Sequence, residues 1–448
     1  MATAPRPSLD AYAQRRARLS QRLHEEGGAL LLFGGQLRTR ANDTEFRFRP
    51  DSDFHYLCGL EEPGAVMVLR AGETPSDPPR MSLFVRPRDR DAEVWSGRRI
   101  GPEGAVERFG AHEAFALDAL DEQLPQLLDG CDIVYLPLGR WPQLDGALQR
   151  ALGDLRRHNR DGRTPPFRYG EASDLIGEDR VIKDEAALAS LRKAIEISAA
   201  GHLAAMRRAK PGMWEYQIEA LLEYEFRMRG SSGPGYGSIV GSGDNATILH
   251  YVDNCDELGE GELLLIDAGA EWDYFSGDIT RSWPVSGRFT PEQRAVYEVV
   301  LASNLAGIER AVVGSNIDAI HERCVEVLCE GLAELGLLEG SADEIRERGT
   351  YRKFYMHRTS HWLGVDVHDA GRYTLGGKPR PFAPGQVLTI EPGLYIAADT
   401  EGVAEGFRGL GVRIEDDVLI RPEGPEVLTA AAPKAVAELE DIIGTEAR

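Results

Sequence analysis

The stretch Glu262-Leu-Leu-Leu-Ile-Asp267-Ala-Gly-Ala-Glu-Trp-Asp-Tyr-Phe-Ser-Gly-Asp278-Ile-Thr-Arg281 decides how the second half of the chain folds. Residues 263–266 form an apolar run too short for a helix and typical of a buried strand, with Asp267 at its end. Ala268-Gly269 allows a tight bend, and Asp278 leads into a β-rich segment over 279–283. The expected structure is a hairpin whose two carboxylates, eleven positions apart, face each other. Ionised carboxylates at the end of an apolar strand are costly to desolvate unless paired or bound to metal. Two readings stand at this point: a metal site, or loop aspartates salt-bridged to Arg281.

Working outward, the 448 residues suffice for two or three domains with a large core. The net charge of −22 argues against nucleic acid as a partner, because such surfaces are basic. No apolar run reaches the length of a membrane helix, so no membrane is expected. The first residues lack the apolar core of a signal peptide. Five scattered cysteines form no C-x-x-C pair, which suggests neither a disulfide framework nor a zinc knuckle. Cytoplasm is the expected compartment.

Ser8 is expected to cap a helix to about residue 26, with Arg15, Arg16, Arg18 and Arg22 facing solvent. Strands are expected at 29–33, 64–69, 81–85 and 132–136, with a helix over 117–128 interrupted by Pro125. This alternation indicates an α/β N-terminal domain over 1–175. Its aromatic and polar stretch 46–59 reads as a partly exposed strand and turn. Residues 156–178, centred on Pro165-Pro166, read as a linker. Over 176–448 the pattern is α+β, with helices expected at 185–208, 214–229, about 290–313 and 317–335. Antiparallel strands are expected at 387–390, 394–397, 412–414 and 418–420. Thr290-Pro291-Glu292-Gln293 is a capping box. Helix-helix-hairpin occurs twice, over 185–281 and 291–415, which suggests two related halves.

The chemistry gathers at His357, His361 and His368, three of the chain's ten histidines within twelve residues. A lone histidine near a core is usually only hydrogen-bonded; three together shift that balance. Glu391 ends an apolar run as Asp267 does, and Glu415 follows the alternating Val412 and Ile414. Arg413 is an obvious salt-bridge partner for either, but four such carboxylates beside a histidine cluster make a purely structural role a poor explanation. Four carboxylates and one imidazole are mainly hard ligands. They suit Mn²⁺ first, with Co²⁺, Fe²⁺ or Zn²⁺ as alternatives, and four negative charges match two divalent ions.

In this order and context, Asp267, Asp278, His361, Glu391 and Glu415 resemble the metal-binding set of the pita-bread metallopeptidases. The phrases Ile248-Leu-His250-Tyr, Leu265-Ile-Asp267-Ala-Gly, Ser360-His361-Trp-Leu-Gly, Val367-His368-Asp and Ile390-Glu391-Pro-Gly resemble one branch, the bacterial Xaa-Pro aminopeptidases. The resemblance continues at Asn42-Asp43, Ser52-Asp53-Phe54 and Val94-Trp95. It implies a curved antiparallel sheet with pseudo-two-fold halves over 176–448. It also implies two divalent metals with a bridging hydroxide as nucleophile, and removal of the residue before a penultimate proline. In that scheme Asp267 binds one metal, Asp278 and Glu415 bridge both, and His361 with Glu391 complete the second. Glu391 also accepts the nucleophile's proton. His250 and His368 bind substrate and stabilise the tetrahedral intermediate, His357 completes the histidine set, and Arg413 holds Asp267. A homodimer or homotetramer is implied, the N-terminal domain serving assembly, with Trp95 and Asp43 reaching a neighbouring subunit's site. Arg358 departs from the pattern, which has a small residue after the position of His357.

Competing readings are a prolidase on the same metal set, a methionine aminopeptidase, and a metal-free creatinase-like hydrolase or binding protein. The context of His361 and the N-terminal matches favour the aminopeptidase over prolidase, and a methionine aminopeptidase would not need the first 175 residues. Metal-free relatives lose ligands that are all present here. No G-x-S-x-G elbow supports a serine hydrolase.

Overall fold

Residues 263–266 are at most 1% exposed, so the apolar run is a fully buried strand, Leu263–Asp267. Burying four such side chains contributes at most about 6–12 kcal/mol, enough to carry a charged residue at the strand's end. A computed structural model describes residues 8–446, and the chain divides into two units between Arg180 and Val181.

The first unit is a six-stranded mixed sheet with helices around it. Its central strand Gly28–Phe33 runs antiparallel to Val66–Arg70 and parallel to Ile133–Leu136. Helix Pro142–Arg157 packs its buried Leu144, Leu148, Leu152 and Leu155 into the core that these strands share. Three sequence expectations need correction here. The first helix breaks at Leu19 into Leu9–Arg18 and Ser20–Glu25. Arg15 and Arg16 are buried and donate to the carbonyls of Tyr56 and Leu57, their stems covering apolar surface. The stretch 46–59 contains a buried helix, Ser52–Cys58, because Asp51 caps it by accepting from the amides of Asp53 and Phe54.

The expected linker 156–178 is ordered structure instead. Its strand Arg168–Glu171 adds to the sheet edge beside Ile133–Leu136, and helix Ala172–Val181 follows. An edge strand with mostly exposed residues lacks the apolar pattern that marks a central one, so the proline and glycine before it dominated the reading. The division at Arg180 rather than 175 has a direct cause. Asp179 accepts from Arg18 and Tyr56, and Arg180 pairs with Asp53 at 2.8 Å, tying the end of this helix to the first unit.

In the second unit, helices Glu185–Arg208 and Glu215–Met228 precede the strands Ile239–Ser242, Leu263–Asp267 and Thr280–Pro284. Helices Pro291–Arg310, opened by the predicted capping box, and Ile317–Glu334 precede Val387–Ile390, Gly393–Ile396, Leu410–Arg413 and Asp416–Arg421. The strand pairs of both halves are antiparallel, in the α+β arrangement expected. A bridge between Thr280 and Glu415 joins one half to the other. No helix among the described residues is long and apolar enough to cross a membrane.

Candidate metal centre

Leu263–Asp267 pairs with Thr280–Pro284 so that Asp267 lies opposite Thr280. The intervening chain folds as a small hairpin, Ala270–Trp272 against Phe275–Ser276, around Asp273-Tyr274. Both turn residues have positive φ, 51° and 66°, as a two-residue turn matched to strand twist requires. Gly269 is needed because a Cβ there would lie 1.8 Å from the carbonyl oxygen of Gly277. The bend therefore brings Asp278 back beside Asp267, and the hydroxyl of Tyr236 reaches both, at 2.7 Å and 2.6 Å.

The second half supplies the opposite wall. Asp278 and His361 are 3.4 Å apart, and His361 Nε2 is 3.5 Å from Glu391. Donor atoms of Asp278, His361 and Glu415 all lie within 4.8 Å of one another. Glu415 accepts from Thr280 Oγ1 at 2.6 Å. His361 Nδ1 lies 3.0 Å from the Trp362 carbonyl, an acceptor only, so Nδ1 carries a proton, and Nε2 is left facing Asp278 and Glu391. The predicted ligands thus gather, with Asp267 joined through Tyr236 and Glu391 through His361. The alternative of a salt bridge to Arg281 is overturned. That guanidinium is fully buried and turned away to Asp416 at 2.8 Å and to the carbonyls of Thr280, Glu415 and Ala432.

Arg413 donates to Asp267 at 2.7 Å, to Thr280 Oγ1 and to the Tyr395 hydroxyl at 3.1 Å. Tyr395 in turn donates to His357 Nε2 at 2.8 Å, while His357 Nδ1 donates to the Arg358 carbonyl. This chain fixes His357 as the neutral imidazole, and burial pulls its pKa down to about 4. His250 and His368 are exposed on the wall of a cavity of about 810 Å³ that also meets Asp267, Asp278, Glu391 and Glu415. The His368 ring stands edge-on to His361, with centroids 4.3 Å apart. Trp95, 91% exposed, and Asp43, in an exposed turn, lie on the surface of the first unit and are no part of this cluster.

Electrostatically the cluster fits a divalent cation. Burial, then neighbouring carboxylates, raises Glu415 well above its ordinary range. Burial likewise raises Asp278 and, despite His361 and Arg413, lifts Glu391 to about 7. Burial alone would lower His361, but hydrogen bonding to Asp278 and the charge of Glu391 reverse this and raise it to about 9. Converging carboxylates, and an imidazole whose Nε2 lone pair becomes available once a cation displaces its proton, are the donors a hard-to-borderline divalent metal takes.

Sequence reasoning missed Tyr236, Thr280 and Tyr395 as site residues. Tyr236 stands in Gly-Pro-Gly-Tyr-Gly, where glycines on both sides let the backbone approach the hairpin. That density was the available signal. Thr280 and Tyr395 occupy ordinary strand positions, and nothing local marks them.

Residues 189–422 match the family model Metallopeptidase family M24, and residues 12–135 match Aminopeptidase P, N-terminal domain. The chain is 41% identical over 436 residues to the Xaa-Pro aminopeptidase of Escherichia coli (strain K12), covering 97% of this chain and 98% of the relative. Among solved structures, the aminopeptidase PepP of Pseudomonas aeruginosa is 44% identical with a TM-score of 0.94, over 98% of both chains. A zinc-substituted Escherichia coli aminopeptidase P in complex with product is 41% identical with a TM-score of 0.95, over 99% of this chain and 100% of that one. With its motifs, its fold and these relatives in agreement, the chain belongs to the Xaa-Pro aminopeptidase, or aminopeptidase P, branch of metallopeptidase family M24.

Proposed function

We propose that this metallo-aminopeptidase removes the residue before a penultimate proline using two divalent metals, Mn²⁺ in preference to Co²⁺, Fe²⁺ or Zn²⁺. Asp267, Asp278, His361, Glu391 and Glu415 would hold the metals. When bound, the ions polarise the scissile carbonyl and lower the pKa of a water until it can attack as hydroxide at neutral pH. The observation that carries the reading is the close approach of Asp278, His361 and Glu415, their donor atoms mutually within 4.8 Å.

The protein's own groups supply positioning and proton transfer. Arg413 and Tyr236 orient Asp267, and Thr280 orients Glu415. Glu391, beside His361, would also take the proton from the attacking water and return it. The Xaa-Pro amide has no N–H, so its nitrogen must be protonated to leave. His250 and His368, which line the same cavity as the carboxylates, would serve that task and stabilise the charge growing on the carbonyl oxygen. Tyr395 and Arg413 keep His357 neutral and hydrogen-bonded.

We further propose a cytoplasmic homodimer or homotetramer in which the exposed Trp95 ring and Asp43 reach a neighbouring subunit's site. The prolidase reading predicts cleavage of Xaa-Pro dipeptides only. A release assay comparing Xaa-Pro with Xaa-Pro-Yaa peptides, together with metal analysis of the purified protein, tests the assignment. Release of Xaa from the longer peptides by protein carrying about two metals per chain is expected. Cleavage of dipeptides alone, or turnover without bound metal, would overturn it.

A further inference from the structure

Two charged side chains at the cavity have no part in the chemistry above. Arg358 follows His357 on the same loop, and Asp318 lies in the first turn of helix Ile317–Glu334; both line the cavity and they form an ion pair. Their side chains are 61% and 45% exposed, against 6% for Asp278 and 17% for Glu391, so the pair stands at the solvent end. Among the described residues lining the cavity, the Arg and Lys side chains are Arg358 and Arg413. Arg413 is 4% exposed and committed to Asp267 and Tyr395, which leaves Arg358 as the cation that incoming substrate can reach.

Given the aminopeptidase activity, one substrate residue lies on the amino side of the broken bond, and the chain beyond it leads back towards solvent. On the Xaa-Pro reading, the group passing the mouth is therefore the residue after proline. A carboxylate there would come within reach of Arg358, the exposed cation at the solvent end of the cavity. An exposed ion pair such as Arg358–Asp318 is weak and readily exchanged. The guanidinium fork can donate two hydrogen bonds to a substrate carboxylate in place of the one it donates to Asp318.

We propose that the Arg358–Asp318 pair is a specificity element for peptides carrying a carboxylate just beyond the proline, with Asp318 holding Arg358 in place until the substrate replaces it. That carboxylate is either the C-terminal group of a tripeptide or an acidic side chain in third position. This inference rests on the Xaa-Pro reading. It competes with a plain alternative, in which Asp318 serves only the helix N-terminus.

The test uses the full-length enzyme supplied with Mn²⁺ and the peptides Ala-Pro-Ala and Ala-Pro-Ala-amide, with Ala-Pro-Glu-amide and Ala-Pro-Gln-amide as the second pair. The readout is the ratio of kcat/KM within each pair. Wild type is expected to favour the carboxylate member by about fivefold, the upper range of an exposed charge pair. Arg358→Ala should bring the ratio near one, and Asp318→Asn, which removes the competing carboxylate, should raise it above wild type. Raising NaCl from ~50 mM to ~500 mM should shrink the wild-type preference, because exposed charges are screened. A preference in the first pair identifies the C-terminal carboxylate as the ligand, and one in the second pair identifies the side chain. Equal ratios in wild type and Arg358→Ala would overturn the proposal, as would Asp318→Asn and Arg358→Ala moving the ratio in the same direction. Failure to cleave any of the four peptides would overturn the Xaa-Pro reading, and the proposal with it; cleavage without preference overturns the proposal alone.

Discussion

Removing one carboxyl charge from the metal cluster should stabilise the metal-free protein and weaken the metal-bound one. Glu391 is the clearest place to do this. Burial is the main reason that its carboxyl rises from 4.5 to about 7, and the charges of Asp278 and Asp267 add to it. In the unfolded chain the same group ionises near 4.5, so the folded state holds its proton more tightly across that interval. Stability therefore falls as pH rises from about 4.5 to 7, and the loss is complete above 7. At 1.36 kcal/mol per pH unit this costs the folded, metal-free protein about 3 kcal/mol at pH 8. Glu391→Gln keeps the shape and removes the charge. Calorimetric melts of EDTA-stripped protein should show the variant about 5 °C above wild type at pH 8, converging with it near pH 4. With saturating Mn²⁺ the order should reverse, because a ligand has been lost while metal stabilises the folded state by mass action. A metal-free variant no more stable than wild type at pH 8, or a gain that persists unchanged at pH 4, would refute the reasoning.

Other variants separate the roles within the site. His250→Ala and His368→Ala should lower turnover by about 10²–10⁴-fold while leaving metal content intact. His361→Ala and Asp278→Ala should lose metal as well, so loss of metal in the His368 variant with retention in the His361 variant would reverse the assignment. Tyr236→Phe deletes the hydroxyl shared by Asp267 and Asp278 and should weaken metal affinity by about 10–100-fold, measured by titrating metal into the stripped protein. Unchanged affinity would count against a role for Tyr236. Asp416→Asn should destabilise the chain by about 3–5 kcal/mol at pH 7, because Arg281 stays buried without its partner. Burial alone would raise Asp416, but Arg281 and Lys434 hold it below the usual carboxylate range. Its stabilisation is thus present above about pH 4 and lost as pH falls further, and the gap between variant and wild type in denaturant melts should narrow in acid.

Much of this protein was legible in local pattern. The run 263–266 announced a buried strand, the capping box at Thr290 opened the helix where expected, and charged residues at strand ends marked a site where desolvation had to be offset. Each signal depends on neighbours a few residues apart, within reach of backbone geometry and solvent exclusion. The failures share the opposite character. Arg15 and Arg16 look like solvent-facing charges until the carbonyls of Tyr56 and Leu57, 41 residues away, receive them. Arg168–Glu171 looks like a linker until it completes the edge of a sheet.

The sequence by itself narrowed the candidate metal ligands to Asp267, Asp278, His361, Glu391 and Glu415, through carboxylates at strand ends beside a histidine cluster and the resemblance of their motifs to the pita-bread metallopeptidases. Which of them meet was decided only by tertiary structure. Arg281 pairs with Asp416, Tyr236 arrives from an unrelated loop to join Asp267 to Asp278, and the bridge from Thr280 to Glu415 sets one half against the other. These contacts span roughly 31 to 135 residues of chain. Their partners are chosen by strand register and core packing, which no local period records.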